Sequence, residues 1–98
     1  MPERQVSVGS RIGLHARPAA TVAEAAGRQS VPVLIGRPGA KPVNAASVLA
    51  LMSLGAKSGE LVVISAAGDE AEDAVAEIAA LVERDLDAEP AGELMDNA

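Results

Sequence analysis

No phenylalanine, tyrosine or tryptophan occurs among the 98 residues. Single-stranded nucleic-acid platforms stack bases on aromatic rings, so that class of partner is set aside and no nucleic acid is expected. Cysteine is also absent, which removes disulfides, thiolate catalysis and the common zinc frameworks. The longest apolar stretches, near residues 45–56 and 61–67, are too short and too interrupted to span a bilayer, so no membrane insertion is expected. The start, Met1-Pro2-Glu3-Arg4-Gln5, lacks the apolar segment of a secretory signal, and a cytoplasmic protein is the expectation. Internal repeats and domain linkers are missing too. Histidine occurs once.

What remains is aliphatic. Apolar residues make up 49% of the chain, and these are 21 alanines, 24 valines, leucines or isoleucines, and three methionines. A core made from them is small in volume and must be built by fitting sheet closely to helix. The length suits one domain, expected over residues 1–87, with residues 88–98 as a flexible acidic tail after Glu89-Pro90-Ala91-Gly92. The net charge of −6 is unevenly spread. Residues 1–68 carry seven basic and three acidic side chains, whereas residues 69–98 carry one basic and eleven acidic. Such a separation gives one domain a steering dipole, although an acidic helix face also serves plain solvation.

Periodicity orders the elements. Arg4 to Gly9 alternates polar and apolar, which predicts a strand with Val6 and Val8 facing the core. Ala19, Val22, Ala23 and Ala26 recur at helical spacing after Pro18, and the helix is expected to stop at Gly27. Val31 to Ile35 is β-branched, and Gly36-Arg37-Pro38-Gly39 is turn chemistry. Ala40 to Val43 should therefore return as a short edge strand, marked by Pro42. A short helix is expected from Ser47 as N-cap to Leu54, ended by Gly55. Leu61 to Ile64 reads as a central strand. Asp69 is the expected cap of a last helix, with Glu72 as its capping-box partner and an apolar stripe through Ala71, Ala74, Val75, Ile78, Leu81 and Val82. The order β-α-β-β-α-β-α predicts an α+β fold, a four-stranded antiparallel sheet with three helices on one face.

Chemistry concentrates at Gly13-Leu14-His15-Ala16-Arg17-Pro18. A lone histidine most often completes local hydrogen bonds, but this one has an unusual setting. Pro18, near the first helical position, places His15 at or just before the helix N-cap. The backbone N–H groups of Ala16 and Arg17 then point toward whatever the imidazole carries. A neutral ring nitrogen is a nucleophile, and a phosphoryl group on it would meet amide donors, the helix dipole and the Arg17 guanidinium. Gly13 allows a chain path that a Cβ would obstruct. No carboxylate lies beside His15 in sequence, and there is no second histidine and no metal-ligand cluster. The site suits holding a phosphoryl group better than hydrolysing one.

Gly13-Leu14-His15-Ala16-Arg17-Pro18-Ala19 resembles the active-site signature of the histidine-containing phosphocarrier (HPr) family of the bacterial phosphoenolpyruvate:sugar phosphotransferase system. The likeness continues through Pro42-Val43-Asn44-Ala45-Ala46-Ser47 and Leu51-Met52-Ser53-Leu54-Gly55, and covers residues 4–87 in element order. It implies the family's open-faced β-sandwich and phosphorylation of His15 at Nδ1 by enzyme I, with Arg17 stabilising the phosphate. It further implies passage of the phosphoryl group to sugar-specific enzyme II A components. The protein is then a carrier with a covalent phosphohistidine intermediate rather than a stand-alone enzyme, needing no cofactor and no metal, and a monomer. Two alternatives stay open, a paralogue in a nitrogen-related phosphorelay and a regulatory binding module without phosphoryl transfer.

The second helix carries more apolar residues than a single sheet-facing stripe can bury. The resemblance assigns Leu51 and Leu54 to the core and Val48, Leu49 and Met52 to a docking patch beside His15, with Arg17 and Arg28 as the charge complement to acidic partners. Ser47 reads as a plain N-cap. The resemblance adds a second role, regulatory phosphorylation by an HPr kinase/phosphorylase, which would add charge beside the patch. Two departures stand out. Ala46 precedes the serine where regulated relatives often have a basic residue, and Ile12 replaces a small polar residue next to the site loop.

Overall fold

The computed structural model describes residues 2–10 and 13–84. Ile12, the tail at 88–98 and the expected boundary at residue 87 lie outside the described residues. Seven elements follow one another: β1 (Glu3–Ser7), α1 (Ala16–Gly27), β2 (Val33–Gly36), β3 (Val43–Asn44), α2 (Val48–Ser53), β4 (Leu61–Ala66) and α3 (Ala71–Glu83). The strands form one antiparallel sheet in the order β1-β4-β2-β3. β4 is thus internal, as its consecutive apolar residues require, and the short β3 is an edge.

Register explains which residues are buried. Val6 pairs with Val62, Arg4 and Ile35 each with Ile64, and Val33 with Ala66. The aliphatic members of these pairs lie on the helix side of the pleat and are buried. Their alternate neighbours Glu3, Gln5, Ser7 and Leu61 are exposed on the other face, which carries no helix among the described residues. From above, α1 contributes Ala19, Val22, Ala23 and Ala26, and α3 contributes Ala71, Ala74, Val75, Ile78 and Val82. Alanines on both helices permit the close approach that a core without rings needs. Leu51 of α2 closes the core, and Leu54 packs half-buried against it.

Four details differ from the sequence expectation. α1 begins two residues before Pro18, which sits at the third helical position. There its missing N–H costs nothing, because the first-turn amides have no partner within the helix. β2 starts at Val33 rather than Val31, so Pro32 stays outside the ladder. β3 consists of Val43 and Asn44 alone, again leaving the proline, Pro42, outside. A proline has no amide for a ladder hydrogen bond, so both strands start after one. Finally, Asp69 does not cap α3. The N-cap is Glu70, without a side-chain capping bond; its carboxylate accepts from Ser30 Oγ on the α1–β2 connection instead. Glu72 and Asp73 still place negative charge on the first turn.

Burial ranks the substitutions. Ile64→Ala, in the centre of β4, should cost about 2–5 kcal/mol of unfolding free energy. Leu49→Ala, at a side chain 80% exposed, should change it by less than about 0.5 kcal/mol. Urea denaturation followed by circular dichroism measures both.

Candidate functional site

The loop before α1 is laid on the turn that follows α2. Leu14 N–H donates to Ala56 O at 3.1 Å, and Gly13 N–H to Ser10 O at 3.0 Å. Gly13 has φ of +97°, and a Cβ there would stand 2.6 Å from Ala56 O and 2.9 Å from the Lys57 Cα. Glycine is therefore required twice over, by dihedral and by space. On the other side, Gly9 N–H donates to Val82 O at 2.9 Å, so the loop is also tied to the end of α3.

This loop delivers His15 to the N-cap of α1, with extended backbone (φ −89°, ψ −171°). Its carbonyl accepts the first helical bond, from Ala19 N–H at 2.9 Å, while its side chain makes no capping bond. An N-cap side chain more commonly accepts a first-turn amide. Ala16 and Arg17 precede that first helical bond, and Pro18 has no N–H, so the helix start presents two amide donors. No acidic residue lies in the first turn of α1, in contrast to α3. The positive end of the helix dipole is left uncompensated beside His15. Arg17 is exposed at the second helical position and forms no ion pair among the described residues.

His15 also lines a shallow cleft of about 310 Å³ together with Leu14, Met52, Gly55, Ala56 and Lys57. Met52 of α2 is thus brought to the histidine. It is 41% exposed, with Val48 at 36% and Leu49 at 80%, so α2 turns an apolar surface outward. The helix is pinned at its start by Ser47, whose Oγ accepts from Ala50 N–H at 3.1 Å. Arg28 does not join the group. It is the C-cap of α1, at the opposite end from His15, and pairs with Glu24 at 3.5 Å. A helix of this length separates its two ends by about 18 Å. Lys57, absent from the sequence reading, occupies the place beside the cleft. Its proximity follows from the Leu14–Ala56 bond, which joins segments far apart in the chain.

The described residues form an open-faced sandwich with the chain's one histidine at a helix start, beside a cleft open to the surface. Comparison with known proteins gives the family. The family model described as the PTS HPr component phosphorylation site matches residues 2–84. A phosphocarrier protein HPr from Streptomyces coelicolor is 46% identical over 90 residues, covering 92% of this chain and 97% of the relative. The HPr-like protein Crh of Bacillus subtilis is 36% identical over 86 residues, covering 88% of this chain and 100% of the relative. Among solved structures, HPr from Thermoanaerobacter tengcongensis superimposes with a TM-score of 0.81 at 36% identity, covering 91% of this chain and 99% of that one. The chain belongs to the HPr family of phosphocarriers of the phosphotransferase system.

Gly13 is the residue most exposed to test. Gly13→Ala should lower stability by more than about 1 kcal/mol and displace the loop. The readouts are thermal melting and loss of amide-exchange protection at Leu14.

Proposed function

We propose that His15 accepts a phosphoryl group at Nδ1 from phospho-enzyme I and passes it to sugar-specific enzyme II A components. The observation that carries this reading is the position of His15 at the helix start, with two amide donors and no acid in the first turn. In the transfer, the Nδ1 lone pair attacks phosphorus, the bond from phosphorus to the donor's carrier atom breaks, and its electron pair stays with the donor. The product anion gains the amides of Ala16 and Arg17, the helix dipole and the Arg17 guanidinium. Nothing in this scheme calls for a metal or a cofactor. The cleft is open, so the group stays reachable by the next partner.

Partners dock on Val48, Leu49 and Met52 beside the histidine. Aliphatic side chains and one flexible methionine suit a surface that meets several proteins in turn, through small, short-lived contacts. Phosphorylation of Ser47 by an HPr kinase/phosphorylase would place a dianion at the edge of this surface. The hydroxyl is already engaged as the α2 cap, and Ala46 supplies no positive charge beside it. The protein acts as a cytoplasmic monomer. No helix among the described residues is long and apolar enough to cross a membrane. A regulatory binding module is the second reading, favoured by the likeness to a solved structure described as Crh, the Bacillus subtilis catabolite repression HPr, at 36% identity. The presence of both His15 and Arg17 favours the carrier. A nitrogen-related phosphorelay uses the same chemistry with different acceptors.

Incubation with enzyme I and phosphoenolpyruvate should give one acid-labile phosphoryl adduct by mass spectrometry, lost in His15→Ala. An adduct that survives that substitution, or none at all, refutes the carrier. Arg17→Ala should slow acceptance by about tenfold. Onward transfer tested with sugar-specific and nitrogen-specific acceptors separates the two relay branches. Met52→Asp should slow transfer while leaving the melting temperature within a few degrees, since the side chain is partly exposed; full-speed transfer would remove the docking role.

A further inference from the structure

The cleft beside His15 is lined by one residue with a charged side chain that the reading above does not use. Its described lining contains a cation, Lys57, and no carboxylate. Arg28 and Arg37 are each paired, with Glu24 and Glu60 respectively, whereas Lys57 forms no ion pair among the described residues. Glu60 is the acid closest to it in sequence, and that carboxylate is engaged elsewhere. Its Oε1 accepts from the Lys57 backbone N–H at 2.9 Å and from Arg37 Nη2 at 3.2 Å. Arg37 also donates through Nη1 to Leu54 O at 3.3 Å. The turn from Leu54 to Glu60 is thus clamped from the sheet side. The Lys57 backbone is packed so closely against Gly13 that a Cβ on the glycine would sit 2.9 Å from the Lys57 Cα. Backbone position is fixed relative to the histidine loop, while the side chain is exposed and, among the described residues, has no ion-pair partner.

We propose that Lys57 is a second cation for the phosphoryl group on His15, acting from the cleft while Arg17 acts from the helix start. The inference rests on the carrier reading. Lys57 forms no covalent bond. As the bond from phosphorus to the donor breaks and the bond to His15 Nδ1 forms, the ammonium offsets negative charge on the non-bridging phosphoryl oxygens. An ammonium on a flexible stem suits this role, because it follows the group between the bound state and handover without imposing a fork geometry. The Arg37–Glu60 pair has a positioning role, holding the carboxylate nearest to Lys57 in sequence in an ion pair of its own.

The test compares the whole protein with Lys57→Gln, Lys57→Arg and Lys41→Gln. Lys41 is an exposed lysine on the β2–β3 connection, outside the cleft lining, and its loss makes the same change in net charge. Acceptance from phospho-enzyme I and the phosphorus NMR resonance of the phosphohistidine are both measured. Lys57→Gln should slow acceptance about fivefold and move the resonance. Lys57→Arg should restore most of the rate, and Lys41→Gln should match the wild type in both. Wild-type behaviour of Lys57→Gln in rate and resonance overturns the proposal. So does an equal loss in Lys41→Gln, which would assign the effect to net charge. Failure of the wild-type chain itself to take a phosphoryl group refutes the carrier reading instead. The melting curve of Lys57→Gln, expected to match the wild type, separates a local electrostatic loss from misfolding.

Discussion

One close approach of two backbones organises the functional end of the molecule. Gly13 and Leu14 lie against Ala56 and Lys57, joined by the Leu14–Ala56 hydrogen bond and admitted only because Gly13 has no Cβ. That contact sets where α1 begins, and so where His15 stands. It also brings the end of α2 to the histidine, which makes Met52 and Lys57 neighbours of a residue some forty positions earlier. A side chain could be lost at many positions with modest effect. A separation of these two backbones would dissolve the cleft, the helix start and the α2 surface together, because each takes its position from the others.

The core has a different logic. Without rings, its volume comes from valine and isoleucine in the sheet and from alanine with valine, isoleucine and leucine on the helices. Small residues let α1 and α3 lie close to the strands and to each other, but leave little large surface to fill any misfit. The charge division follows the same layers. α3 carries acid in its first turn and along its exposed face, while the start of α1 carries none.

Much of this was legible from residue pattern. Element order, the internal position of β4 and the Ser47 cap follow from periodicity and capping chemistry, a two-turn helix with too many apolar residues had to leave some of them exposed, and the family resemblance named those as Val48, Leu49 and Met52. The errors share a cause. Pro18, Pro32 and Pro42 were each read by position alone, and the structure places each by where a backbone donor is not needed. Asp69 had cap chemistry but lost to Glu70, whose carboxylate has a tertiary partner in Ser30. Arg28 was assigned by charge, and the length of α1 carries it to the far end. Lys57 was invisible for the converse reason: its neighbour in space is set by a long-range backbone bond that no local spacing encodes.

The two amide donors at the start of α1 have a consequence for heredity rather than for binding. They belong to the main chain, so every substitution at Ala16 or Arg17 other than proline retains them, whatever it does to the side chain. A mutational scan of this region would register the loss of His15 or of the guanidinium, and pass over the amides in silence. The main-chain part of the electropositive helix start is thus protected from point mutation by the chemistry of the peptide bond itself.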